Sequence, residues 1–341
     1  MPNNRTVSET VRFVLLRPEA AAAGGTIAVF LGFGLTTNLF LTQHSFINIT
    51  NVVADLGIVS VGITLLMIGG QFDLSIGAVI GLSSFAAAHL TNEYNLPPLA
   101  AIAAALAFSA VLGALNGLMV VTTKIHSFIV TLGTMMIYRG LLTACTKGFP
   151  MAVETNDTIR YLLAGPIHEN FQFRMSLVWL LLAIMLGTWL LVRTRTGNWI
   201  YAIGQNKEAA RNLGIPVKRL TVALFALASF TGGCAGVIQM ARFQSVDALR
   251  GEGDELNVIA MAVIGGTSLM GGYGSVIGTA FGALIFGMVQ QGLVLMGAPG
   301  FYFKTLVGVV LLGAVLVNTF VTNKIMSQKT PKPQGETEPD Q

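Results

Sequence analysis

GNWIYAIGQNKEAARNLGIPVKR, Gly197–Arg219, is a hydrophilic passage between two greasy ones, VWLLLAIMLGTWLLV (178–192) before it and LTVALFALASFTGG (220–233) after it. The contrast decides the fold class. The flanking runs suit lipid, and the stretch between them suits water. Asn206 predicts a helix N-cap, since its side-chain oxygen can accept from a free backbone N–H. Glu208 then falls in the first turn, where a carboxylate suits the helix dipole. Gly214 fits the left-handed C′ position, and Pro216 stops the helix from running on. Lys207–Leu213 therefore reads as a two-turn helix in a loop. So short a helix is unstable alone in water, so its surroundings must hold it, and a partner's groove is one candidate.

Outward from this loop the chain is built for a membrane. Of its 341 residues, 53% are hydrophobic and 11% charged, against about 25% charged in an average soluble domain. Successive apolar runs of about 20 residues match the hydrocarbon thickness of a bilayer. Spans are expected near 20–42, 51–70, 76–92, 98–121, 127–145, 176–193, 220–240, 257–271, 274–296 and 301–322. The fold class is all-α and polytopic, with about ten transmembrane helices in contact with lipid. The eighth segment is short and ends in glycines, as a tilted or partial span does. The run 20–41 exceeds the length of a signal-peptide core, so the first span is expected to stay uncleaved.

Ten spans place both termini on one side. One set of loops carries Arg5, Arg12, Arg17, Lys124, Arg193, Arg195, Lys207, Arg211, Lys218, Arg219, Lys324, Lys329 and Lys332. The other set has fewer cations and collects Glu93, Glu154, Asp157, Glu169, Asp247, Glu252, Asp254 and Glu255. The positive-inside rule makes the first set cytoplasmic. The organisation expected is a cytoplasmic tail (1–19), a membrane domain (20–322) with a cytoplasmic loop at 194–219 and an external loop at 146–175, and a polar, disordered cytoplasmic tail (323–341). The external loop is either a cap that meets a soluble protein or a solvated connector.

Several chemistries are excluded. The net charge of +4 is spread over loops rather than gathered into a stripe, so nucleic acid is not a partner. No phosphate-binding GxxxxGK[ST] loop occurs, and the glycines at 272, 274 and 278 have the wrong spacing for a dinucleotide. Cys145 and Cys234 are far apart and the four histidines are isolated, so neither a metal nor a disulfide is expected. No nucleophile–base pattern supports an enzyme.

What remains is a set of motifs within the membrane domain. Gly69–Gly77 (GGQFDLSIG) puts Asp73 and Ser75 at the start of the third span, with Gly77 just inside it. Asp73 is read either as a cap for free N–H groups or as part of a gate or ATPase-facing turn. Phe128–Gly140 (FIVTLGTMMIYRG) carries Thr131, Gly133 and Arg139. A charge inside an apolar run costs about 2.5–3.5 kcal/mol even on a lenient scale, so Arg139 must face the bundle interior, line a wet path or snorkel. Gly265 and Gly266 precede a row of Gly274, Gly278 and Gly282, whose four-residue spacing lets helix backbones approach closely. Candidate polar residues lining a path are Asn116, Arg139, Gln239, Asn257 and Gln290; each is equally able to satisfy a neighbouring helix backbone.

Taken in order, Asp73-Leu74-Ser75-Ile76-Gly77, Thr131-Leu132-Gly133-Thr134 with Arg139-Gly140, Tyr201–Asn206 with Glu208-Ala209-Ala210 and Gly214, and Gly265-Gly266-Thr267 through Gly282 resemble the permease subunits of bacterial ABC importers for ribose and similar simple sugars. The resemblance covers about residues 50–320. It implies a type II-like importer bundle in the bacterial inner membrane, paired with a second copy or a paralogue. It implies a cytoplasmic ABC ATPase that binds the ATP, leaving this chain without a cofactor, and a periplasmic sugar-binding protein that delivers the solute. Asn206, Lys207, Glu208, Ala209, Ala210, Arg211, Leu213 and Gly214 would then couple to the ATPase. The rival expectation from the residues is an ion-coupled secondary carrier for a small polar solute.

Overall fold

The computed structural model describes residues 18–153, 157–167 and 173–299, together with 302, 304, 305, 307–309, 312 and 313. Most of the expected tenth span, the tail 323–341 and nearly all of the N-terminal tail lie outside the described residues. So do Glu154, His168 and Glu169 of the external loop.

The described chain is a helical bundle. The helices are α1 (Pro18–Thr36), α2 (Gln43–Ile68), α3 (Ile76–Asn92), α4 (Pro98–Thr123), α5 (Ser127–Thr146), α6 (Asp157–Ala164), α7 (Met175–Arg193), α8 (Arg195–Gln205), α9 (Lys207–Asn212), α10 (Val217–Phe243), α11 (Asp254–Ile264) and α12 (Val276–Leu295). Seven of them, α1, α2, α4, α5, α7, α10 and α12, are long and apolar enough to cross a membrane. Helix α3 occupies the bounds expected from sequence, but at 17 residues it is shorter. Local chemistry starts several of them. Thr42 and Ser275 accept from the N–H groups of Ser45 and Gly278, the His126 ring nitrogen accepts from Phe128, and Pro98 opens α4.

Two boundaries differ from the sequence reading. The first span ends at Thr36 rather than 42, and α2 begins at Gln43 rather than 51, because Thr42 caps a helix whose first turns are polar. The segment expected to span 257–271 is the 11-residue α11. At 1.5 Å per residue it is about 16 Å long, roughly half the hydrocarbon core. After it, residues 265–275 form a glycine-rich turn rather than more helix.

The centre of the bundle is α2 and α10. Of α2's most apolar window 89% is buried, against 6% for α1. Lipid tails are as apolar as leucine, so burial of this kind needs close backbone packing rather than hydrophobic expulsion. Small residues provide it. Gly62 of α2 lies against Ala228 and Thr231 of α10, and Gly113 and Gly117 of α4 lie against Phe225 and Val222 of α10. Gly232 and Gly236 of α10 lie against Ile76 and Ile80 of α3. Gly278 and Gly282 of α12 pack on the carbonyls of Gly265 and Met261, so the expected small-residue row is where α11 and α12 meet.

Two pairs of polar groups meet across helices inside the bundle. The hydroxyls of Thr64 and Thr279 lie 2.7 Å apart, and Asp55 of α2 forms a buried ion pair with Arg242 of α10. The span expected at 220–240 stops short of Arg242, and nothing near Asp55 in the sequence marks it as the partner.

The loop expected at 146–175 is folded where it is described. Met151–Ala152 (β1) pairs antiparallel with Ser245–Val246 (β2), and Trp179 donates to the Leu162 carbonyl of α6. The loop is therefore strapped to the segment after α10.

A methyl added at Gly278 meets the Gly265 carbonyl, whereas nothing lies within 4 Å of one added at Gly133. Gly278→Ala is expected to destabilise the protein by about 1–3 kcal/mol as overpacking does, and Gly133→Ala to stay within about 0.5 kcal/mol. Thermal unfolding of the two detergent-solubilised variants checks both.

Candidate functional site

The loop between α7 and α10 is the candidate site. Helix α9 starts as the sequence predicts. Asn206 Oδ1 accepts from the N–H groups of Glu208 and Ala209, both at 3.0 Å. It also ends as predicted. Gly214 has φ +79°, its N–H bonds the Arg211 carbonyl at 2.9 Å, and the N–H of Ile215 bonds the Ala210 carbonyl at 3.1 Å. These two bonds make a Schellman motif, which satisfies carbonyls the short helix would otherwise leave free.

One side chain anchors the helix. Ala210 is 2% exposed and joins the core cluster that includes Val217 and Leu220. Lys207, Glu208, Ala209 and Arg211 face outward, and Leu213 at the tip is 79% exposed. A large apolar side chain held out at the end of a fixed charged helix suits a partner's groove. Beside it a cleft of about 280 Å³ is lined by Arg211, Ile215, Pro216, Val217, Lys218 and Arg219.

Sequence reasoning missed α8. Thr194 caps it by accepting from Gly197 at 3.2 Å, and Gly197, Ile200 and Ile203 form its buried face. Their three-residue spacing was the available signal. Helix α8 leads directly to α9 and lies under two loops. Tyr201 donates to the Gly274 carbonyl at 2.8 Å, and a methyl on Gly204 would strike the Ile68 carbonyl.

The other sequence candidates are dispersed. Asp73 is fully buried, so it is not a turn presented to an ATPase. Its Oδ1 accepts from the N–H and hydroxyl of Ser75 at the start of α3, so the carboxylate does satisfy a free N–H there. Asn116 is buried too and donates to Ser75 Oγ at 2.8 Å, while Tyr138 donates to Asn116 Oδ1 at 3.3 Å. Asn116 thus braces the segment before α3. Thr131 accepts from the N–H of Leu74. Gly77 lies against Glu255 and the Gly251 carbonyl. Gly133 faces open space, so it has no packing role among the described residues.

Arg139 donates to the carbonyls of Ala248 and Arg250, at 3.0 and 2.7 Å, tying α5 to the turn before α11. Asn257 donates to Asp254 in the same region. The Arg250 guanidinium rests over the Phe243 ring; burial lowers its pKa, and the charge of Asp247 works the other way. Gln239 is buried in α10 and Gln290 half-buried in α12. The contacts therefore bring Arg139 and Asn257 to one region, and leave Asn116, Gln239 and Gln290 elsewhere. Of the glycines, Gly265 packs on Gly278, and Gly266 and Gly274 take positive φ in the turn between α11 and α12.

Residues 45–315 match the family described as the branched-chain amino acid transport system / permease component. The chain belongs to this permease family. Among its relatives, the ribose import permease protein of Escherichia coli (strain K12) is 37% identical over 282 residues, which is 82% of this chain and 87% of that one. The ribose import permease protein of Bacillus subtilis (strain 168) is 36% identical over 82% of this chain and 86% of its own length. The autoinducer 2 import system permease protein of Enterobacter sp. (strain 638) is 32% identical over 86% of this chain and 84% of its own. No solved structure matches. The permease is thus a multi-pass transport subunit, and α9 is the feature of its surface that is most clearly shaped for a partner.

Replacing Asn206 with Ala removes the acceptor for two N–H groups and is expected to cost about 1 kcal/mol of local helix stability, with Asn206→Asp retaining most of it. Faster trypsin cleavage at Arg211 in the alanine variant alone is the readout.

Proposed function

We propose that the permease moves a sugar or related polyol into the cell as the membrane subunit of an ATP-driven importer, by alternating access. The single observation that carries this reading is α9, capped at both ends, anchored by Ala210 and presenting Glu208, Arg211 and Leu213 outward. A helix this short persists only because tertiary structure holds it, so its exposed face is a prepared contact. Its partner is a cytoplasmic ABC ATPase, which binds the ATP.

The charge distribution supports the direction. Lys207 and Arg211 lie in α9 and Lys218 and Arg219 follow it, a cluster that supports a cytoplasmic position for α9 and for both termini at the bacterial inner membrane. The names of the ribose and autoinducer 2 relatives support a small hydroxylated solute. A periplasmic sugar-binding protein delivers it to the outer face, where α6 and the β1–β2 strap lie, and a second permease copy or paralogue completes the path. Nucleotide on one side and loaded binding protein on the other bias a two-state bundle.

Glu208→Ala combined with Gly214→Val is expected to abolish uptake and release the ATPase during purification, while membrane insertion stays intact. The Gly214 part acts through φ +79°, which a β-branched residue adopts only with strain. Uptake by the unaltered protein in cells lacking the ATPase refutes the reading.

A further inference from the structure

Helix α5 is held to the bundle by one stripe. Ser127, Thr131, Thr134, Tyr138, Leu142 and Thr146 are its buried positions, while Ile129, Met136, Ile137 and Leu141 on the opposite side are exposed. Part of that stripe does not pack on a helix at all. Ser127 Oγ accepts from the N–H of Phe72, and Thr131 Oγ1 accepts from the N–H of Leu74, both at 3.1 Å. The two hydroxyls are four residues apart, hence on one face of α5. They grip alternate residues of the buried segment between α2 and α3.

The other end of that segment meets α8. The Ile68 carbonyl, which closes α2, accepts from the N–H of Gly272 at 2.8 Å, and Gly204 of α8 fits so tightly against both that no side chain is tolerated. Gly70 and Gly271, at φ +72° and +81°, complete the contact, and Gln205 reaches the Gly272 carbonyl at 3.4 Å. Backbone lies on backbone here. Side-chain contacts can absorb a displacement by changing rotamer; the glycine contact of Gly204 with Ile68 and Gly272 has no side chain to change, and closely packed interiors transmit strain.

Resting on the ATP-driven reading above, we infer that α8 passes the displacement of the coupling loop to α5 through this glycine junction and the Ser127–Thr131 clasp on Phe72 and Leu74. Gly204, Ser127 and Thr131 are positioning residues. The exposed wall of α5 is the part that moves, and the segment 70–74 is the link.

A native probe sits on the moving part, since Cys145 is exposed near the end of α5 and Cys234 belongs to α10. In a Cys234→Ala background, the complex is purified with its ATPase, Cys145 is spin-labelled, and spectra are recorded without nucleotide and with ATP plus orthovanadate. The label is expected to respond to trapped nucleotide. In Ser127→Ala/Thr131→Val the response is lost, although the ATPase remains bound and hydrolyses ATP. Thr131→Ser, which keeps the hydroxyl, retains the response. If the double variant does not purify intact, Thr131→Val alone against Thr131→Ser makes the same comparison. An undiminished response in the valine variants overturns the clasp, and hydrolysis without any response in the parent overturns movement of α5. Failure of an ATPase to accompany the parent instead refutes the ATP-driven reading, and the inference falls with it.

Discussion

Backbone touching backbone is what this bundle depends on. In lipid, helices gain little by hiding apolar side chains from an equally apolar solvent, so cohesion must come from packing and from polar groups that find each other. The permease meets that requirement at α10, whose Gly232 and Gly236 face α3, whose Gly233 faces α4, and whose neighbours α2 and α4 turn glycines of their own toward it. The same device recurs where α11 meets α12 and where α8 meets the turns at residues 70 and 271. Removing the side chain at each crossing fixes the distance between elements, and with it the positions of the loops.

That constraint explains why the candidate site is rigid although it lies in a loop. Helix α9 contributes few buried atoms of its own. It is held by Ala210 below, by the Asn206 cap at one end and by the Gly214 turn at the other. Helix α8, under the backbone junction, gives it a firm base. Local capping supplies the shape, and long-range packing supplies the stiffness. A surface of this design can be exposed and charged without being loose.

The sequence carried the parts whose causes are local. The N-cap at Asn206, the positive φ at Gly214 and the bounds of α3 all follow from residues within a few positions of one another. Helix α8 was less visible because its buried face, Gly197, Ile200 and Ile203, is short and is covered by loops that are distant in sequence. One of the two readings of Asp73, the ATPase-facing turn, fails for a related reason. Its neighbourhood suggested a surface turn, but Asn116, Ser127 and Thr131, brought in from α4 and α5, bury the segment. Span eight is short because its glycines serve a turn that α2 and α8 hold in place, and hydropathy averages over that distinction. The Asp55–Arg242 pair joins residues on two helices far apart in the chain, and only the fold makes them partners.

That ion pair bears on how the chain is made. Ribosomal synthesis delivers α2 to the bilayer long before α10 emerges, so Asp55 enters hydrocarbon without its counter-charge, a burden of about 2.5–3.5 kcal/mol on the insertion scale. Until Arg242 arrives, the second span is a provisional tenant of the membrane, kept there by its apolar length and by whatever chaperone or water defect shelters the carboxylate. Completion of α10 would then act as a latch on biogenesis, and a chain truncated before it would be a natural substrate for membrane quality control.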